Sequence, residues 1–141
     1  MANILAIDYG TKRVGLAIAD EKLRIPLPLK TIEGKRQQEV LEIISHLCQE
    51  KDVSRIVIGL PLSFNFEETP VCKDIREFGE KVKRVTNREV VYENEVLTTE
   101  AAKNINRSLD RVKSRQSKSK DHFDSQAAIL ILESYLKKAT S

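Results

Sequence analysis

The chain is poor in residues that build soft metal centres. It has two histidines and two cysteines in 141 residues, and they form no cluster. Cys48 and Cys72 stand alone, without CxxC spacing, each in a helix-like context. Reduced, buried thiols are therefore expected and a zinc site is not. No uninterrupted apolar stretch is long enough to cross a bilayer, so no membrane partner is expected. The first apolar run meets a charged turn almost at once and does not read as a signal peptide. The expectation is a cytoplasmic protein. The net charge of +3 is too small to establish nucleic-acid binding, but the charges are unevenly spread. What is present, 40% hydrophobic and 32% charged residues, suits an ordinary globular protein. The length suits one domain, residues 1–141, with a sizeable core.

The most informative stretch is the beginning, Ile4 to Asp20. Two apolar runs flank a short turn, Tyr9-Gly10-Thr11-Lys12, and Asp8 stands on the last step of the first run. A carboxylate at the end of a largely buried strand is costly unless it is paired or binds a cation. Two readings are open here: Asp8 caps a tight turn through its own backbone, or it serves a metal or phosphate.

Residues 3–8 read as a central strand covered on both faces. Arg13 to Ala19 read as the antiparallel return, with Gly15 where backbone or ligand approaches closely. A third extended segment spans Leu23 to Ile32. Pro26 and Pro28 make it an edge or bulged strand, because proline cannot donate to the ladder. From Arg36 to Lys51 the period becomes helical, with Val40, Leu41, Ile43, Ile44 and Leu47 on one face and His46 off it. A strand follows at Arg55 to Leu62, with Gly59 and Pro61 marking its end. Thr69 then reads as an N-cap before Pro70, opening a helix to about Val85. Glu89 to Glu95 is the fifth strand, and Thr98 opens a further helix.

Residues 103–120 crowd Lys103, Arg107, Arg111, Lys113, Arg115, Lys118 and Lys120 among Ser and Asn. With little to bury, its middle, about residues 107–120, reads as a mobile basic loop; taken by itself, the basic run favours a solvated surface loop. Phe123 to Lys138 is a strong helix, apolar nearly all round, packed into the body. Asp121 and Asp124 at its start suit its dipole.

Three meandering strands followed by two crossovers give a five-stranded mixed sheet of order 3-2-1-4-5, flanked by helices. Asp8 and Glu95 then fall at the carboxyl ends of parallel strands, where ligands gather in open α/β sheets, and Asp124 starts a helix returning from there. Three convergent carboxylates need a positive ion among them. Oxygen-only ligands suit Mg²⁺ or Mn²⁺. Two such ions would activate water and stabilise the leaving oxygen in phosphodiester hydrolysis. Lys12 and Arg13 beside Asp8, with the basic loop, suit a polyanionic substrate.

At these residues the sequence resembles the YqgF family of RuvC-like proteins. The resemblance is carried by Ala6-Ile7-Asp8-Tyr9-Gly10-Thr11-Lys12-Arg13-Val14-Gly15, by Ile58-Gly59-Leu60-Pro61-Leu62, by Glu95-Val96-Leu97-Thr98-Thr99-Glu100-Ala101 and by Phe123-Asp124-Ser125-Gln126-Ala127-Ala128. It implies a ribonuclease H-like fold and a divalent-metal nuclease with catalytic and metal-binding acids at Asp8, Glu95 and Asp124. It sets the expected substrate as pre-16S ribosomal RNA, with a Holliday junction as the alternative. Asp8 would bind both metals, Glu95 and Asp124 would complete the shell, and Lys12 or Arg13 would hold a phosphate. Arg111, Lys113 and Arg115 are the further nucleic-acid-binding candidates. The protein is expected as a monomer or homodimer; symmetric junction cleavage needs the latter.

Two departures stand out. The family pattern has Asp-Glu-Arg where this chain has Asn94-Glu95-Val96, and Val-Asp-Ser where it has Phe123-Asp124-Ser125 after Asp121 and His122. The first loses an acid and a cation; the second adds an acid one helical turn from Asp124. Two other classes compete. Asp8-Tyr9-Gly10-Thr11 is similar to the phosphate turn of the actin and sugar-kinase group, but those proteins close two such domains on ATP. A non-catalytic RNA-binding module would keep the fold and the basic loop with a decayed acid site.

Overall fold

The computed structural model describes residues 2–10, 12–62, 65, 67–96 and 120–139, with the backbone alone at 95, 96, 120–125 and 139. The elements run β1 (Asn3–Tyr9), β2 (Arg13–Asp20), β3 (Leu27–Glu33), α1 (Gln37–Glu50), β4 (Val53–Leu62), α2 (Pro70–Thr86), β5 (Glu89–Val96) and α3 (Lys120–Ala139). The sheet order is β3-β2-β1-β4-β5, as the sequence predicts. β1 and β2 pair antiparallel, as do β2 and β3, while β1–β4 and β4–β5 are parallel. The basic loop, the helix expected at Thr98, and with them Arg111, Lys113 and Arg115, lie outside the described residues.

Strand alternation divides the core in two. Leu5, Ile7, Val14, Leu16, Ile56, Ile58 and Leu60 face one side, where α1 brings Val40, Leu41 and Ile44 and α2 brings Ile75, Phe78 and Val82. Ile4, Ala6, Ala17, Ala19 and Val57 face the other, under Ala128, Ile131, Leu132 and Leu136 of α3. The residues on this second face are mostly small, so α3 sits close to the sheet. Its buried positions fall at i, i+3, i+4 and i+8, one stripe rather than the whole surface, and Leu130 is 45% exposed. Apolar nearly all round in sequence, the helix is thus laid on the sheet along one stripe rather than packed into the body as the sequence predicts.

The third strand is an edge, and its pairing with β2 slips between Leu16 and Ala17, next to Pro28. This is what a proline-bearing edge does. β4 does not stop at Gly59. It runs to Leu62, with Gly59, Leu60, Pro61 and Leu62 pairing Glu93, Asn94, Glu95 and Val96. Thr69 holds the N-cap position of α2 but makes no side-chain cap bond. Its hydroxyl instead donates to the Pro61 carbonyl at 3.2 Å, an acceptor that the Cys72 thiol also reaches at 3.1 Å. The turn after β4 is thus tied to the start of α2. Both cysteines are free and buried, and burial pushes the Cys48 thiol up to about 11.

Gly79 of α2 is the seat of Tyr92: a Cβ there would stand 2.1 Å from the Tyr92 hydroxyl oxygen. The same ring lies under Arg76, 5.1 Å from guanidinium carbon to ring centroid. At the far edge, Asp20 closes the β2–β3 turn. Its Oδ1 accepts the backbone N–H groups of Lys22 at 2.8 Å and Leu23 at 3.0 Å. Chiefly the Leu23 bond, then that of Lys22, holds the Asp20 carboxyl below its ordinary range. A carboxyl lowered in the folded state contributes stability above its unfolded value, and the contribution is lost as pH falls through the folded value. The melting temperatures of wild type and Asp20→Ala should therefore differ most near neutrality and converge in acid, as pH falls below the ordinary carboxylate range. A gap that persists in acid would show that the carboxylate is not what holds this turn.

Candidate active site

The site grows from the carboxyl end of β1. Tyr9 faces α1 and α2. Its ring stacks on Phe78 with centroids 4.0 Å apart and 16° between planes. Gln37 Nε2 donates to the Tyr9 hydroxyl at 3.0 Å, and Lys81 Nζ donates to Gln37 Oε1 at 2.7 Å. With Tyr9 fixed on one face, alternation puts Asp8, half-buried, on the other. The Gly10 N–H donates to the Arg13 carbonyl at 2.9 Å, so the main chain closes the turn. A Cβ on Gly10 would come within 2.7 Å of that carbonyl oxygen, which is why glycine is needed there.

Lys12 is exposed at the turn. Arg13 Nε lies 2.6 Å from Glu33 Oε1 at the end of β3, and both side chains are close to half exposed. Such a pair adds little stability and opens readily.

Register gives Asp8 distinctive surroundings. It pairs with Gly15 of β2, and Gly15 with Thr31 of β3. On the other side Ile7 pairs with Ile58, so Asp8 stands one step on, beside Gly59, and Gly59 pairs with Glu93. One row thus crosses all five strands: Thr31, Gly15, Asp8, Gly59, Glu93. Asp8 is flanked on both sides by glycine, so no neighbouring side chain in its row fills the space beside the carboxylate. At about 4.8 Å per strand, Asp8 and Glu93 are roughly 10 Å apart along it.

Glu93 is a buried acid that the sequence reading passes over. It is 4% exposed. Its Oε1 accepts the Ser134 hydroxyl at 2.9 Å and meets Lys138 Nζ at 2.6 Å, both from α3. The signal was in the alternation of Val91, Glu93 and Glu95, which puts a carboxylate at an inward position. Nearer the other edge Arg55 ties Tyr135 of α3 to Glu89 of β5.

Of the acids named from sequence, Asp8 is placed in full. Glu95 is placed by its backbone, pairing Pro61 two residues beyond Glu93 and so in the same alternating set. Asp124 lies in the second turn of α3, ten residues before Ser134, or about 15 Å along the helix axis. The side chains of Glu95, Asp121, His122 and Asp124 lie outside the described residues, among which no three metal-ligating side chains cluster.

The sequence matches the RuvX family, described as Holliday junction resolvase, over residues 2–138. The chain belongs to the RuvX family. Among the relatives, a protein of Agathobacter rectalis is 37% identical over 136 residues, covering 94% of this chain and 93% of its own. One of Chloroflexus aurantiacus is 36% identical over 133 residues, covering 94% and 85%. Both bear the name "Putative pre-16S rRNA nuclease". The RuvX chain also shares its fold with solved resolvases. T. thermophilus RuvC in complex with a Holliday junction substrate aligns at TM-score 0.58 and 10% identity, covering 100% of this chain and 98% of that one. The fowlpox virus Holliday junction resolvase aligns at 0.55 and 13%, covering 99% of each chain. The ribonuclease H-like expectation is met at the level of fold. Among the described residues, no helix of this RuvX chain is long and apolar enough to cross a membrane.

Proposed function

We propose that this chain is a divalent-metal-dependent endonuclease that hydrolyses phosphodiester bonds in structured RNA, with the pre-16S ribosomal RNA precursor as its setting. The observation that carries the reading is Asp8. It is a half-buried carboxylate at the carboxyl end of the central strand, flanked in its row by Gly15 and Gly59, in a member of a nuclease family. A metal and a phosphate both need close approach to the sheet at such a point, and glycine permits it.

The donor set fits a hard cation. Asp8, Glu95 and Asp124 offer only carboxylate oxygens, which suit Mg²⁺ or Mn²⁺. When bound, such ions supply an activated water and charge compensation at the leaving oxygen. The remaining roles belong to the chain. Asp8 presents a fixed negative charge on a strand end that the Tyr9–Phe78 stack holds in place. Lys12 and Arg13 grip a phosphate beside it, Arg13 exchanging Glu33 for the substrate. Arg111, Lys113 and Arg115 extend the contact. The second reading, cleavage of branched DNA, is favoured by the family description and the RuvC complex.

The deciding experiment sets a precursor ribosomal RNA fragment beside a four-way DNA junction, each with Mg²⁺, Mn²⁺ or chelator. Metal-dependent cutting of the RNA is expected. Cutting of the junction alone would move the protein to recombination, and cutting of neither would leave a binding module.

A further inference from the structure

We infer that the corner where β3 ends and α1 begins carries the sugar-phosphate backbone of the RNA stem adjoining the cleaved strand, an inference that rests on the RNA reading above. β2 runs antiparallel to β1 and β3 antiparallel to β2, so β2 starts and β3 ends at the same edge as Asp8. That edge therefore gathers Lys12, Arg13, Lys35 and Arg36, all exposed. The hydrogen bond from Gln37 to the Tyr9 hydroxyl pins the start of α1 to the end of β1, one residue from Arg36 on one side and one residue from Asp8 on the other. Two acids share the corner. Glu33 meets Arg13 at 2.6 Å, and Glu39 meets Lys35 at only 4.0 Å. Both are exposed ion pairs that a phosphate displaces at little cost.

Among the described residues, the opposite end of the same edge has the reverse balance. After β4, Glu67, Glu68, Asp74 and Glu77 outnumber Lys73 and Arg76. The amino edge of the sheet is mixed, with Asp20, Glu21 and Asp52 among Lys22, Arg24 and Lys51. Among the described residues the excess of positive charge therefore lies from Asp8 toward β3. A polyanion seated at Asp8 follows that gradient. Thr31 of β3 is two strand spacings from Asp8, about 10 Å, which is about three phosphates of one strand. Arg36 occupies the N-cap position of α1 and makes no side-chain cap bond. An arginine there forgoes the usual acceptor and opposes the helix dipole. Local rules broken in this way are expected where a surface serves a ligand.

The test is the salt dependence of binding, measured in chelator so that cutting plays no part. The probe is a fluorescein-labelled RNA stem-loop with a single-stranded flank, read by anisotropy from low to moderate salt. Lys35→Ala with Arg36→Ala should reduce the slope of log affinity against log salt by about two units, at about 0.9 per lost phosphate contact. A matched control, Lys83→Ala with Arg84→Ala at the far end of α2, removes the same charge and should leave the slope as in wild type. Circular dichroism confirms that both variants are folded, and Arg36→Gln provides a milder single change with half the effect. An unchanged slope overturns the inference. So does an equal change in both double variants, which would report net charge alone, and so does a change seen with a four-way DNA junction but not with the stem-loop. The cleavage assay stands apart: slope loss without cutting by wild type removes the nuclease reading and keeps the corner, and cutting with an unchanged slope does the opposite.

Discussion

Asp8→Asn is expected to lower metal-dependent RNA cleavage on the order of 10³-fold while leaving RNA affinity in chelator within about threefold. The substitution is nearly isosteric, so β1 and its pairing with Gly15 should survive. It removes the one formal charge that the Gly15–Asp8–Gly59 row presents. The Mg²⁺ concentration for half-maximal activity should rise as well, because an amide oxygen is a weaker ligand for a hard cation than a carboxylate oxygen. The measurement is a titration of cleavage rate against Mg²⁺ for both proteins, with RNA binding measured in parallel. Retained cleavage at unchanged metal demand would mean that Asp8 is a turn residue after all, serving the backbone of Tyr9 and Gly10. Loss of cleavage together with loss of binding would point to misfolding of the hairpin.

The second large effect concerns stability. Phe78→Ala should destabilise the protein by about 3–5 kcal/mol, because the side chain is fully buried and its removal leaves a cavity that α2 cannot close. For a chain of this size that is a fall of roughly 10–15 °C in melting temperature. Phe78→Leu keeps most of the volume and should cost about 1.5 kcal/mol or less. The leucine variant has a second use. It removes the ring on which Tyr9 stacks while retaining most of the core, so a drop in turnover at temperatures where it is folded would show that the stack orients the strand end carrying Asp8. Thermal denaturation and cleavage rate, measured on the same preparations, separate these effects. A leucine variant as unstable as the alanine one would mean that the aromatic contact with Tyr9 dominates over buried volume.

The sheet was legible because its signals are local and agree. The apolar run at Ile4–Ile7, the return at Arg13–Ala19, the prolines at 26 and 28, and the helical periods after Arg36 and Pro70 each specify an element, and strand-connection rules then leave one order. Where the reading went astray, a tertiary contact outweighed a local preference. Gly59 and Pro61 look like terminators, yet β5 pairs with β4 through both, and the turn comes after Leu62. Thr69 does hold the N-cap position expected of it, but the Pro61 carbonyl captures the hydroxyl that would have made the cap bond. Glu93 was passed over, because nothing nearby in sequence announces Ser134 and Lys138. Those partners lie 41 and 45 residues away. Asp8 was found because a strand-end carboxylate is conspicuous in one dimension. Its two flanking glycines become neighbours only once three strands are assembled.

The alanine-rich side of the sheet has a mechanical consequence. Ala6, Ala17 and Ala19 of the strands and Ala128 of α3 give that contact low relief, with few ridges to resist sliding along the helix axis. The setting of α3 against the sheet then depends on discrete fasteners: Arg24 on the Leu136 carbonyl, Tyr135 on Arg55, and Ser134 with Lys138 on Glu93. All of them grip the last turns of the helix. Among the described side chains the grip on α3 is thus gathered in its last turns, so a substitution at Glu93, Arg55 or Arg24 acts on the seating of the whole helix through that one region.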